Sequence, residues 1–121
     1  MESRSNDPGF PITQADQEGF IRALASAAHG HGLAYGLKND LDEIPDLVAD
    51  ADFAVNEECF QYAECDALAP FVDAGKAVFQ TEYTSGDLSA KGATFCASAN
   101  ARNLDSIVKH LDLDAPRFSC R

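Results

Sequence analysis

Three apolar segments of this chain each end in a pair of residues whose side chains can bind a polar ligand or transfer a proton. The pairs are Lys38 and Asn39, Asn56 and Glu57, and Glu82 and Tyr83. In parallel α/β folds the carboxyl ends of the strands form one rim, and ligands bind at that rim. The alternative is that polar residues only mark the exposed end of each strand. Because three successive segments share the pattern, we predict one site to which all three contribute.

The two carboxylates Glu57 and Glu82 indicate what chemistry this site could perform. Neighbouring strands lie about 4.8 Å apart, so carboxylates at their ends would be close together. In glycoside hydrolysis one carboxyl group protonates the leaving oxygen while a second attacks the sugar or activates water. Paired carboxylates also occur in many sites that only bind. The chain contains no GxSxG, P-loop or GxGxxG motif that would favour another chemistry.

The elements that position these pairs alternate along the chain. From the spacing of apolar residues we predict helices at 13–32, 40–48, 66–74 and 103–111. The same criterion predicts strands at 33–39, 52–58, 76–83 and 93–99, with a polar loop at 84–92. The resulting order is one helix followed by four strand-helix units, which favours an α/β fold with a parallel sheet covered by helices. The length of 121 residues corresponds to one domain.

The charge balance restricts the possible partners. The chain has 20 Asp and Glu residues against 9 Lys and Arg, a formal net charge of -11. Such a surface repels phosphate backbones, so we predict no nucleic-acid partner, and it attracts cationic ligands. The alternative is that the acidity only provides solubility. No run reaches the roughly 18 to 20 apolar residues of a membrane span, and the N-terminal residues lack the apolar region of a signal peptide.

Four cysteines, an even number, permit two disulfides. They are Cys59, Cys65, Cys96 and Cys120, and none has the CxxC spacing of zinc or redox sites. Cys59 and Cys65 enclose five residues close to Glu57, which makes a local disulfide plausible, and Cys96 and Cys120 would then join the last predicted strand to the C-terminus. The alternative is four reduced thiols in a cytosolic protein. Which cysteines pair cannot be read from the sequence.

At these residues the sequence resembles glycoside hydrolase family 114, the endo-α-1,4-polygalactosaminidases. The matching stretches cover nearly the whole chain: NDPGFPIT, AHGHGLAYGLKND, DFAVNEECFQYAECD, PFVDAGKAVFQTEY and LDLDAPRFSC. The resemblance implies a TIM (β/α)8 barrel, an extracellular location, and endo-cleavage of α-1,4-linked galactosamine polymers with retention of configuration. We predict no cofactor and no metal ion.

The resemblance also implies roles for individual residues. The acid/base glutamate of the family stands in an Asn-Glu motif, which corresponds here to Asn56 and Glu57. The remaining strand-end residues would then bind the sugar, namely Lys38, Asn39, Asn56, Glu82 and Tyr83. The family's catalytic aspartate belongs to a Pro-Asp-Asn motif on an earlier strand, and residues 1–121 contain no such motif.

The chain is too short for a whole barrel. A (β/α)8 barrel needs about 250 residues, so residues 1–121 correspond to its C-terminal half. A half barrel exposes strand edges and one face of its core. We therefore expect either a homodimer that rebuilds a barrel, a separate N-terminal half barrel, or marginal stability. Two functional alternatives to the glycosidase follow: a non-catalytic module that binds a cationic amino-sugar polysaccharide, and an inactive fragment.

Overall fold

A single sheet of five strands organises the part of the chain that the computed structural model describes, residues 6–121. The strands run in spatial order from β1 to β5. The first four are parallel, and the last is antiparallel to its neighbour. Their bounds are Gly36–Lys38 (β1), Phe53–Glu57 (β2), Ala77–Tyr83 (β3), Asp105–Lys109 (β4) and Phe118–Ser119 (β5).

Four helices alternate with the parallel strands: Gln14–Gly30 (α1), Ile44–Leu47 (α2), Ala69–Asp73 (α3) and Leu88–Ala101 (α4). Helix α1 begins with a capping box, in which the side chains of Thr13 and Asp16 satisfy each other's backbone N–H groups. Short 3-10 turns lead into α2 and α3, and each of these two helices has proline in its first turn, where its missing N–H costs nothing. The first three predicted helices and the first three predicted strands are confirmed within a few residues.

The last two predicted elements are wrong. Residues 93–99, predicted as a strand, belong to α4, and residues 103–111, predicted as a helix, contain β4. The side chain of Asp87 accepts a hydrogen bond from the backbone N–H of Ala90 and starts α4 inside the predicted loop. Helix α4 buries Gly92, Phe95 and Ala99, which recur at helical spacing.

The hydrophobic core lies between the sheet and the helices. Leu37, Ala54, Val78 and Val108 project from one face of the sheet and are buried. They belong to one core cluster with helix residues such as Phe71. We call this the helix face. On the other face, which we call the open face, the Phe79 side chain is 46% exposed.

The sheet does not close into a barrel. Strand β5 lies along the outer edge of β4, pairing Ser119 with Ile107 and Phe118 with Val108. The backbone N–H of Cys120 extends this contact by donating to the Ser106 carbonyl at 3.0 Å. The four parallel strands and the helices between them form part of a TIM-barrel-like fold, in which the sheet stays open. This confirms the predicted α/β class.

Both disulfides considered from the sequence are present. Cys59 pairs with Cys65, and Cys96 pairs with Cys120. The first closes the loop after β2, and the second joins α4 to the end of β5. The prediction that Cys96 lies on a strand is wrong, since it lies in α4. No helix of the described residues is long and apolar enough to cross a lipid bilayer.

Gly92 is required where α4 meets β5. A Cβ atom at this position would lie 2.5 and 2.6 Å from two ring carbons of Phe118. We expect Gly92→Ala to lower the free energy of unfolding by about 1–3 kcal/mol, because the ring and the disulfide-linked strand would have to move. Urea denaturation measures this loss. Gly19→Ala is the matched control: Gly19 also lies in a helix, but nothing lies within 4 Å of an added Cβ. It should be neutral or stabilising, and equal effects of the two changes would contradict the account.

Candidate active site

Glu57 lies at the carboxyl end of β2, and alternation along the strand places its side chain on the open face. The register sets it beside Thr81 of β3 and two residues beyond Val55, which pairs with Lys38 of β1. Parallel neighbours in register project from the same face. The open face therefore brings Lys38, Glu57 and Tyr83 together at one rim, as the sequence predicted for these three.

Each oxygen of the Glu57 carboxylate has its own donor. The Lys38 ammonium donates to Oε2 at 2.6 Å, and the Tyr83 hydroxyl donates to Oε1 at 2.7 Å. The Glu57 side chain remains 38% exposed and the Lys38 side chain 48% exposed. The carboxylate is thus oriented by two donors and still accessible to a ligand.

The same contacts set the protonation state of the group. The pKa of Glu57 is lowered, first by the hydrogen bond from Lys38 and then by that from Tyr83. The pKa of Tyr83 is raised to about 12, mainly by burial and then by its bond to the Glu57 carboxylate. Glu57 is therefore ionised and Tyr83 neutral at physiological pH in this arrangement.

Two asparagines hold the backbone around Glu57. Asn39 has a left-handed backbone with φ 51°, a conformation that asparagine tolerates better than most residues. Its side-chain oxygen accepts a hydrogen bond from the Glu57 backbone N–H at 2.9 Å and one from the Asn56 amide at 3.3 Å. Asn56 projects from the helix face and is 1% exposed. Asn39 therefore positions the backbone of Glu57 and the side chain of Asn56. Asn56 is too buried to contact a sugar.

Glu82 is separated from Glu57 by the sheet. Its position in the register is one residue from that of Glu57, so its side chain projects from the helix face, where it is fully buried. It accepts hydrogen bonds from the backbone N–H of Phe60 at 2.9 Å and from the Gln80 amide at 2.7 Å. The ammonium of Lys91 lies 3.6 Å away. The structure does not bring the two glutamates together as a carboxylate pair.

A cleft of about 490 Å³ opens beside Glu57. Its walls come from the start of α1, the turn after β1 and the loop after β2, which includes Tyr62. Six of its lining residues are acidic: Asp40, Asp42, Glu43, Glu57, Glu58 and Glu64. The other five acidic residues and Tyr62 were not predicted to belong to the site. The acidic residues concentrated in NDLDE (39–43) and NEECFQYAE (56–64) could have indicated that both segments line the site.

One group of carboxylates in the described residues is close enough to hold a cation. Ligand atoms of Glu18, Glu43 and Asp46 lie within 4.8 Å of one another. Glu18 also pairs with Arg22 at 2.9 Å. Glu43 of this group also lines the cleft. The group includes none of the open-face residues Lys38, Glu57 and Tyr83.

Glu57 is an accessible carboxylate at the carboxyl end of a parallel strand, which is the end where (β/α) barrels carry their catalytic residues. The family model for glycoside-hydrolase family GH114 matches residues 1–121, and the chain belongs to this family. A comparison with curated proteins found no match.

A solved structure gives the same result for the fold. The crystal structure of Aspergillus fumigatus Ega3 in complex with galactosamine matches this chain with a TM-score of 0.85 and 37% sequence identity. The match covers 98% of this chain and 51% of that one. The chain therefore spans about half the length of the structure it matches.

Proposed function

We propose that this chain supplies the acid/base side of the active site of an endo-α-1,4-polygalactosaminidase. The observation that carries the proposal is the Glu57 carboxylate, held by Lys38 and Tyr83 on the open face in a chain of family GH114. The related Ega3 structure was determined with galactosamine, which supports an amino sugar as the ligand. The acidic cleft beside Glu57 supports a cationic polymer.

In a retaining reaction Glu57 would act twice. It would first protonate the oxygen of the leaving sugar while a second carboxylate attacks the anomeric carbon, and then remove a proton from the water that hydrolyses the glycosyl intermediate. The two carboxyl groups of retaining enzymes lie about 5–5.5 Å apart. The second is expected to be the aspartate of the family's Pro-Asp-Asn motif, contributed by the half of the barrel outside residues 1–121.

The contact with Lys38 opposes protonation of Glu57, because it lowers the pKa of that carboxyl group. A general acid must be protonated when substrate binds, whereas Lys38 stabilises the charged form. A second carboxylate near Glu57 would raise its pKa by repulsion between like charges. We infer that the second carboxylate of the completed site raises the pKa of Glu57 and so opposes the effect of Lys38.

Replacement of Lys38 tests this electrostatic role. We expect Lys38→Met to raise the pKa of Glu57, because it removes the largest cause of the lowering. An NMR titration of the glutamate carboxyl carbons measures the shift. Arg102→Met removes the same unit of charge from α4's end, outside the site, and should leave the Glu57 titration unchanged. An unshifted or lowered pKa in Lys38→Met would contradict the role.

The partner that completes the site is a complementary half barrel. Two copies of this chain could rebuild a barrel only if β4 of each paired with β1 of the other, and β5 already occupies the outer edge of β4. The Ega3 chain is about twice as long as the matched region, so a half barrel of different sequence, not a second copy, is the partner we propose.

An extracellular location is part of the proposal, supported by two disulfides, which persist in oxidising compartments.

A binding module is the second candidate function. Among the described strand residues, Glu57 is the only carboxylate at the carboxyl end of the open face. This arrangement favours binding of a cationic amino-sugar polysaccharide without cleavage by the chain on its own. Salt-sensitive binding to polygalactosamine without shortening of the polymer would identify this function.

A further inference from the structure

An exposed aromatic ring stands in the wall of the cleft beside Glu57. The Tyr62 side chain is 66% exposed and lines the cleft of about 490 Å³. This volume falls within the range of ligand-binding clefts. A tyrosine ring presents a broad apolar face at a small cost in conformational entropy, since it has few rotatable bonds. The ring and the cleft together form a surface on which a pyranose ring can pack.

The loop that carries Tyr62 is fixed at several points. The disulfide between Cys59 and Cys65 closes it. The backbone N–H of Tyr62 donates to the Glu58 carbonyl at 3.1 Å, and that of Glu64 donates to the Cys59 carbonyl at 2.9 Å. Buried Glu82 holds the same loop through the N–H of Phe60. The loop is therefore ordered before a ligand binds, and an exposed aromatic ring on it is presented at little further entropic cost.

We propose that Tyr62 is a specificity-determining residue that packs against an amino-sugar ring next to the one cleaved at Glu57. The inference rests on the proposed function and adds a subsite to it. The ring face of Tyr62 attracts a cation as well as apolar C–H groups. Glu58 and Glu64, on the same loop and in the same cleft, supply carboxylates that accept hydrogen bonds from the ammonium group. The subsite therefore prefers galactosamine to its neutral N-acetylated form.

Binding of defined oligomers to the 121-residue chain tests the proposal. Isothermal titration calorimetry at low salt would use galactosamine oligomers and N-acetylgalactosamine oligomers as the two probes. We expect Tyr62→Ala to weaken binding of galactosamine oligomers roughly 3- to 30-fold. Tyr62→Phe keeps the ring and should bind within about 2-fold of the wild type. This rescue distinguishes a stacking role from a structural one.

Two further variants control for surface changes and charge. Phe20→Ala removes another exposed aromatic side chain, 52% exposed on α1 and outside the cleft lining, and should leave binding unchanged. Glu64→Gln should reduce the preference for galactosamine over N-acetylgalactosamine, because it removes a charge from the subsite and leaves the ring in place. Thermal melting of each variant checks that the fold is retained.

The outcomes separate the subsite from the function on which it rests. If wild type binds galactosamine oligomers and Tyr62→Ala binds them equally well, the Tyr62 subsite is overturned and the proposed function stands. If Tyr62→Ala and Tyr62→Phe lose binding equally, packing on the ring is overturned. If wild type binds neither probe, the proposed ligand class and the subsite both fail.

Discussion

Replacing Glu57 with glutamine in the completed enzyme is expected to lower kcat about 100- to 10,000-fold, the range that general acid-base catalysis contributes. The completed enzyme is this chain joined to its complementary half barrel. Glutamine has nearly the size of glutamate and can accept a hydrogen bond from Lys38 or Tyr83, so the fold and the binding surface should persist. It cannot carry a proton to the leaving oxygen or remove one from water. Initial rates of polygalactosamine cleavage measure the effect.

The choice of substrate separates an acid from a binding residue. A galactosaminide with a good leaving group needs little protonation, so Glu57→Gln should slow its first step much less than cleavage of the polymer. Asp73→Asn is the matched control, since Asp73 is an exposed carboxylate at the end of α3, outside the site. It should keep wild-type activity. Retention of polymer cleavage in Glu57→Gln within about twofold of wild type would remove Glu57 from the mechanism.

Glu82→Ala is expected to lower the free energy of unfolding by about 3–5 kcal/mol, because it breaks a buried charged network. The Phe60 backbone N–H and the Gln80 amide would lose their acceptor, and the Lys91 ammonium would lose its nearest carboxylate. Urea denaturation followed by circular dichroism measures this. Glu82→Gln keeps an acceptor of the same shape and should cost less.

The control for Glu82 is a carboxylate outside the core. The Asp66 side chain is 86% exposed and pairs with Arg102 at the surface. Asp66→Ala should change stability by no more than about 1 kcal/mol, the usual worth of a surface ion pair. If Glu82→Ala instead kept wild-type stability and lost ligand binding, Glu82 would be a substrate contact, as its place at a strand end predicted.

The sequence predicted the first part of the fold because its signals there agree. In α1 the capping box and the helical spacing coincide, and β2 and β3 are short apolar runs between turn residues. In residues 84–111 the signals conflict. Ser89 and Gly92 of α4 were predicted to lie in a polar loop, whereas packing against Phe118 requires glycine at position 92 within a helix. Leu104, Ile107 and Val108 fit a helical spacing, but residues 105–109 form a strand because they pair with β3.

The sequence predicted that Lys38, Glu57 and Tyr83 lie at one rim, but it did not predict the acidic cleft beside them. The position of Glu57 at the rim could be predicted because it depends only on where the strand ends. The face of a strand-end residue depends on its exact register, so Glu57 and Glu82 could not be assigned to the same or opposite faces without the pairing of β2 with β3. The cleft depends on left-handed residues such as Asn39 and Asp40, which turn the chain in ways that spacing does not reveal.

The most direct test of the central claim is the product profile of polygalactosamine, followed by mass spectrometry over time. Two samples would be compared: the 121-residue chain, and the same chain joined to a complementary half barrel that carries the Pro-Asp-Asn motif. The account predicts that the joined protein releases short galactosamine oligomers and that the 121-residue chain binds the polymer without shortening it. Equal cleavage by both samples would show that Glu57 needs no partner carboxylate from another half barrel. No cleavage by a folded, joined protein would contradict the assignment of this chain to the catalytic site.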